Sequence, residues 1–272
     1  MNRAHSLLAS AAAALTAFAT AGTAGLAGLP SAAAATRSLC GSQPVRVSGG
    51  SYIVETDEWS SSAPECVTLR GGTAYSVSRS AISNATNGAP GAYPSEFAGC
   101  HWGTCTSGGL ASAPVPVSSL SVGKVSTSWS TAQPTAKGNA YDVAYDIWVS
   151  RTRKAAGGSN GNGSEIMIWL SHRGGVSPMG REVARNVRIG IHTYDIWYSA
   201  PPSPGQGNTI SYSLTKGHTS VTGLDLGRVI RNAVARGYTQ PSWYLIDVEA
   251  GFELWHGGSG LATKSFSVRV RK

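Results

Sequence analysis

The sequence predicts an all-β protein, a sandwich or barrel of antiparallel strands that carries one amphipathic helix. Three observations predict it. Beyond residue 35 the chain is rich in Gly, Ser, Thr, Val, Tyr and Trp and poor in the Leu, Glu and Lys that fill helices. Most segments alternate apolar and polar side chains with a period of two, as a half-buried strand requires. Gly, Pro, Asn and Ser turns separate them at short intervals, which favours hairpins over βαβ units.

Taken in chain order, the first 35 residues differ from the rest. One arginine near the start, a long Ala/Leu run and then small residues make a secretory signal, to be set aside before the fold is considered. Thr, Gly and Pro30 interrupt the run and no second apolar stretch follows it, which argues against a membrane anchor. Residues 36–272 then suit a single domain. Strand candidates cover residues 45–54, 66–69, 74–77, 125–129, 140–149, 165–170, 187–197, 209–214, 244–253 and 264–270. The exception precedes Gly237. Thr222 and Asp225 form a capping pattern, and Leu226, Val229, Ile230, Ala233 and Val234 share one helical face, which Gly237 can close. No Pro/Ser/Thr-rich linker or tandem repeat is visible, so no appended module is expected.

Lysine and arginine outnumber aspartate and glutamate by 22 to 14, a formal net charge of +8. The basic residues are scattered, so the excess reads as solubility, with neither nucleic acid nor membrane expected as a partner. Four cysteines in a secreted chain imply two disulfides, with three connectivities open. Sequence order favours Cys40 with Cys66 and Cys100 with Cys105. A zinc site built from Cys100, His101 and Cys105 competes with that pairing. An oxidising compartment and the lack of a second ligand pair weigh against it.

Two segments stand out for chemistry. In Glu165-Ile166-Met167-Ile168-Trp169-Leu170, alternation sends Glu165, Met167 and Trp169 to one face and the aliphatic residues to the other. Phe252-Glu253-Leu254-Trp255 repeats the arrangement, with Glu253 and Trp255 together. A carboxylate beside large side chains is odd on a solvated face and natural in a groove that stacks sugar rings. Cleavage of a glycosidic bond requires two such groups, an acid for the leaving oxygen and a base or nucleophile at the anomeric carbon.

Through SEIMIWL at 164–170 and AGFELWHGG at 250–258, the chain resembles the family 12 glycoside hydrolases. YDIW at 145–148, GCHWGTCT at 99–106 and the stretch from Leu224 to Val270 support the resemblance, which spans nearly all of the chain after the leader. It implies a β-jelly-roll sandwich of two curved antiparallel sheets and a secreted, extracellular endo-β-1,4-glucanase or xyloglucanase that retains anomeric configuration. Carried over by position, Glu165 matches the nucleophile and Glu253 the general acid/base. Asp146 matches an aspartate that tunes the charge and orientation of Glu165. Met167 and Trp169 match groove-lining positions, and Trp59 matches an aromatic that stacks a glucosyl ring. His101 and Trp102 are further cleft candidates. The chain departs from many relatives at Thr56 and Asp57, where Asn-Asn is common, and in the Pro/Gly-rich stretch at 200–207.

The β-glucan polysaccharide is then the expected partner of a monomer that needs no metal or other cofactor; no HExxH, phosphate-loop or calcium-loop pattern occurs. Three other readings compete. Gly157, Ser159 and Gly161 fit the G-x-S-x-G of serine hydrolases, but in a polar loop without the strand-to-helix setting that motif needs. A carbohydrate-binding jelly roll would use Trp59, Trp169 and Trp255 without turnover. A related jelly roll would act on xylan.

Overall fold

The computed structural model describes residues 36–41, 43–153 and 162–271. The leader and the Gly157 to Gly161 motif lie outside the described residues. The strands are β1 (Arg37–Cys40), β2 (Val45–Val47), β3 (Tyr52–Glu55), β4 (Glu65–Gly71), β5 (Ala74–Ser80) and β6 (Ser95–His101). There follow β7 (Thr104–Cys105), β8 (Val115–Pro116), β9 (Val125–Ala132), β10 (Ala140–Ser150), β11 (Ser164–Arg173) and β12 (Arg181–Ile189). β13 (His192–Ser199), β14 (Asn208–Leu214) and β15 (Ser220–Asp225) precede the helix α1 (Leu226–Ala235), and β16 (Tyr244–Gly251), β17 (Leu254–His256) and β18 (Ala262–Val270) complete the series. No described helix is long and apolar enough to cross a membrane.

Two sheets result, as a jelly roll requires. One has the order β1-β4-β5-β18-β9-β15, the other β12-β13-β14-β11-β10-β16-β6-β3-β2, with β7, β8 and β17 paired at its margins. Pairing is antiparallel except between β11 and β14, which run parallel because the chain crosses to the sheet edge at β12 and works back through β13.

Strand alternation decides what fills the space between the sheets. On β10, Tyr141, Val143, Tyr145, Ile147 and Val149 enter the core, and on β11 Ile166, Ile168 and Leu170 join them. The facing sheet supplies Val67, Tyr75, Val77, Trp129 and Phe266. Trp129 meets Tyr145 edge to face at 5.1 Å between centroids, a favoured aromatic geometry. The polar atoms of these aromatics find acceptors: Trp129 Nε1 donates to Thr263 Oγ1 at 3.0 Å and the Tyr75 hydroxyl to the Pro94 carbonyl at 2.8 Å. Asp142, Ala144, Asp146 and Trp148 are left on the opposite face of β10, where the chemistry collects.

Of the two expected start signals of the helix, Thr222 lies within β15 and Asp225 alone is the cap. Asp225 caps it by accepting from the Arg228 N–H at 3.2 Å. Leu226, Val229, Ile230 and Ala233 are buried along one face. Gly237, at φ +76°, ends it, with Gly237 N–H donating to Val234 and Tyr238 N–H to Ala233. That pair of bonds is the Schellman closure.

Three expected runs are broken. Residues 45–54 divide at Ser48–Gly50, residues 187–197 divide at a turn containing Gly190, and residues 244–253 end at Gly251 before β17 begins. At the first two breaks a glycine takes a positive φ, which alternation alone does not reveal. β1, β6, β7, β8, β15 and β17 were not expected, and β6 carries His101.

Ile168 is fully buried between the sheets, so Ile168→Ala is expected to destabilise the fold by about 2–5 kcal/mol in denaturant unfolding. A second test concerns charge. Glu65 is buried, and desolvation, then Glu58 and Asp57, push its carboxyl from 4.5 up to about 9. Its folded value lies above its unfolded one, so its contribution is full below pH 4.5 and is lost as pH rises toward about 9. The unfolding midpoint should fall across that window, and Glu65→Gln should flatten the fall.

Candidate active site

The face turned away from the core is organised by register. Asp146 pairs with Met167 on one side and Glu249 on the other, and Trp148 pairs with Glu165 and Asp247. Side chains at paired positions lie side by side, so Asp146 and Glu249 are neighbours, and Glu165, one diagonal step from Asp146, reaches it by a side-chain hydrogen bond. Glu253 arrives differently. It lies between β16 and β17, with Phe252 and Leu254 anchored in the core, so the residue between them turns outward. Asp142 fixes this segment twice: its side chain accepts from the Glu253 N–H at 3.0 Å, and its own N–H donates to the Glu253 carbonyl at 3.1 Å.

Glu165 and Glu253 line one cleft of about 720 Å³, together with Trp59, Met167, Trp169, Trp197, Met179 and Trp255. Both glutamates are partly exposed to it. Trp59 is 55 % exposed, free to stack a flat ligand. Trp169 and Trp255 are nearly enclosed and meet edge-on at 6.4 Å. They form a packed floor, with Trp255 Nε1 tied to the Gly88 carbonyl at 2.7 Å. Asp146 lies buried beside Glu165. Trp102 lies outside the lining of this cleft: it is exposed at a hairpin tip, edge-on to His101 and Trp148. Thr56 is buried, and Asp57 beside it takes φ +44°.

Electrostatics separate the two glutamates. Burial raises Glu165, but the Thr209 hydroxyl donates to its Oε2 at 2.7 Å, and a hydrogen bond with Asp146 and the charge of His101 also pull it down. Glu253 is held well above the usual range by burial, then by Asp142 and Glu165. Asp146 is also raised strongly, by burial and then by Glu165, Glu253 and Glu249. A protonated Asp146 is thus the donor in its bond with Glu165. One carboxyl is supplied with donors and the other with neighbouring anions, the asymmetry that divides a carboxyl pair into base and acid.

The sequence reading missed Thr209, Asp142, Trp197 and Met179. Asp142 had a signal, since it precedes Asp146 by four residues on one strand and so shares its face; Thr209 had none, because its place depends on the parallel pairing of β11 with β14. The cysteines are joined as Cys40–Cys66 and Cys100–Cys105, so neither Cys100 nor Cys105 is available to zinc. Glu55, His101 and Glu249 bring ligand atoms within 4.8 Å of one another. His101 turns Nδ1 to Glu249 and Nε2 to Glu55.

A two-sheet jelly roll whose outer face carries a carboxyl pair in an aromatic cleft defines a glycosidase. The chain belongs to glycosyl hydrolase family 12, whose sequence model matches residues 50–271. An endoglucanase structure, cel12A from Rhodothermus marinus, superposes with a TM-score of 0.78 at 40% identity, covering 87% of this chain and 99% of that one. A probable cellulase, Cel12b of Mycobacterium tuberculosis, is 33% identical over 130 residues, 48% of this chain and 81% of its own length. A probable xyloglucan-specific endo-beta-1,4-glucanase of Aspergillus terreus is 32% identical over 153 residues, 55% of this chain and 57% of its own.

Thr209→Val removes one donor from Glu165. A hydrogen bond to a charged group contributes about 1.5–3 kcal/mol, so the Glu165 carboxyl should titrate roughly one to two units higher in the variant, read from its carboxyl ¹³C shift.

Proposed function

We propose that this chain is a secreted, retaining endo-β-1,4-glucanase in which Glu165 is the nucleophile and Glu253 the general acid/base. The observation that carries this reading is the opposed setting of two glutamates on one cleft: Thr209 and Asp146 donate to Glu165, whereas burial and neighbouring acids hold the proton on Glu253. With a glucan in the cleft, Glu165 attacks the anomeric carbon while Glu253 protonates the departing oxygen. Glu253 then takes a proton from water, the resulting hydroxide displaces Glu165, and the configuration is retained. Asp146 keeps Glu165 ionised and oriented. Trp59 stacks a glucosyl ring on the exposed side, and Met167, Trp169 and Trp255 form the floor beneath the scissile unit.

The substrate class is supported by relatives named as endoglucanases and cellulases. The Ala/Leu-rich leader and the two disulfides support export to an oxidising compartment. Xyloglucan is the second reading, favoured by the Aspergillus terreus relative. Product chromatography on cellulose, mixed-linkage glucan and xyloglucan separates the two. A chain inert on all three would refute the proposal.

Glu165→Gln should reduce turnover to background, and Glu253→Gln should lower it roughly 10²–10⁴-fold on a substrate with a poor leaving group. Loss of the Glu165 proton sets the acid limb of kcat/KM and loss of the Glu253 proton the basic limb. The first product released, followed by ¹H NMR, should be the β-anomer; an α-anomer excludes double displacement.

A further inference from the structure

Three acids and one histidine crowd the outer face of the larger sheet without lining the cleft. Glu55 ends β3, His101 ends β6, and Asp247 and Glu249 belong to β16. These strands are neighbours, β3 pairing with β6 and β6 with β16. Glu55, His101 and Glu249 are 8 %, 7 % and 0 % exposed, and each brings one ligand atom within 4.8 Å of the others. Their polar atoms are poorly provided for. Among the described residues, Glu55 Oε1, His101 Nδ1 and Glu249 Oε1 have no hydrogen-bond partner, although Nδ1 and Glu249 Oε1 are in close contact. Buried polar atoms are almost always bonded, so several left unbonded at one spot point to a ligand. Two carboxyl groups buried together stay neutral unless a cation joins them.

We propose that Glu55, His101 and Glu249 bind one divalent cation of the zinc type, a structural ion that ties β3, β6 and β16 together.

The donor set selects the metal. One imidazole nitrogen and two carboxylate oxygens are zinc ligands at about 2.0–2.2 Å, with water free to complete a tetrahedron; calcium and magnesium prefer shells of oxygen alone. Bonds of that length set ligand atoms about 3.4 Å apart, and His101 Nε2 already lies 3.6 Å from Glu55 Oε1. The ion belongs between these two, and Glu249 reaches it by a turn of its carboxyl. His101 itself is held in place. Trp102 and Gly103 make the turn to β7 with φ of +40° and +91°, the Cys100–Cys105 disulfide closes the hairpin beside it, and Phe97 and Trp148 pack against its ring. A bound cation takes the place of the proton that burial otherwise keeps on Glu249. Asp247 is a further buried acid at the edge of the set, acting on Glu55. Hydrolysis by paired carboxyl groups needs no metal, so the ion acts on stability, and the proposal stands apart from the roles of Glu165 and Glu253.

The test strips the purified chain with a chelator and titrates it with zinc chloride, following the heat of binding and the thermal midpoint in wild type, Glu55→Gln, His101→Gln and His192→Gln. Wild type should take up one equivalent and unfold at a higher temperature with zinc than without. Glu55→Gln and His101→Gln should each weaken binding roughly tenfold or more, with His192→Gln unchanged. His192 is the control because its ring lies 5.6 Å from that of His218, where two imidazoles offer zinc an adventitious site. No uptake by wild type overturns the proposal, and so does uptake that only His192→Gln reduces. Should a variant fail to fold, wild type still decides: zinc should shift the ring ¹⁵N resonances of His101, and resonances indifferent to zinc overturn the proposal.

Discussion

Carboxyl groups crowded on one buried sheet face cannot all be ionised at once, and the arrangement of the cleft follows from that constraint. β10 contributes Asp142 and Asp146, β11 Glu165, and β16 Asp247 and Glu249, with Glu253 just beyond. Water would make these charges nearly independent, but at low dielectric each one sets the protonation of the next. The register decides which acids are adjacent, and the few donors decide where negative charge can stay. Thr209 supplies one, and it lies on the Glu165 side. Different protonation of two chemically identical residues is therefore a property of sheet topology.

That topology also explains why the second sheet matters to a site it does not touch. Phe252 packs against Tyr75 and Trp129 in the core, and Glu253 follows it directly. The core aromatics hold the Phe252 ring, and Asp142 holds the Glu253 peptide on both sides. A side chain aimed by backbone anchors is more closely defined than one on a free loop. Trp169 and Trp255 are buried for the same reason: an enclosed indole offers a rigid floor, while exposed Trp59 offers a stacking surface.

What could be read from the sequence divides along the same line. Glu165, Met167 and Trp169 were legible because a period of two sorts one strand without any knowledge of its neighbours, and Glu253 because it repeats the pattern. The helix was legible because Asp225 and Gly237 mark its ends locally. Thr209 was not, since only the parallel pairing of β14 with β11 brings its hydroxyl to Glu165. β6 was hidden because its sequence, SEFAGCH, mixes a buried core-side Glu96 with small residues, so alternation there does not track polarity.

Glu96 shows how far the acid crowding extends. It projects between the sheets beside Val54, fully buried and raised well above the carboxylate range by desolvation. The folded state thus holds protons on Glu96, Asp146, Asp247, Glu249 and Glu253 that an unfolded chain would release in mildly acidic solution. Each such group stabilises the fold less as pH rises. The proton on Glu253 is lost in the same direction, so stability and general-acid competence both favour acidic conditions. Only the need for an ionised Glu165 opposes them. A residue that lowers Glu165 without moving Glu253 widens the interval in which both requirements hold. Thr209 is placed to do that, since its hydroxyl donates to Glu165 and it is not among the groups acting on Glu253.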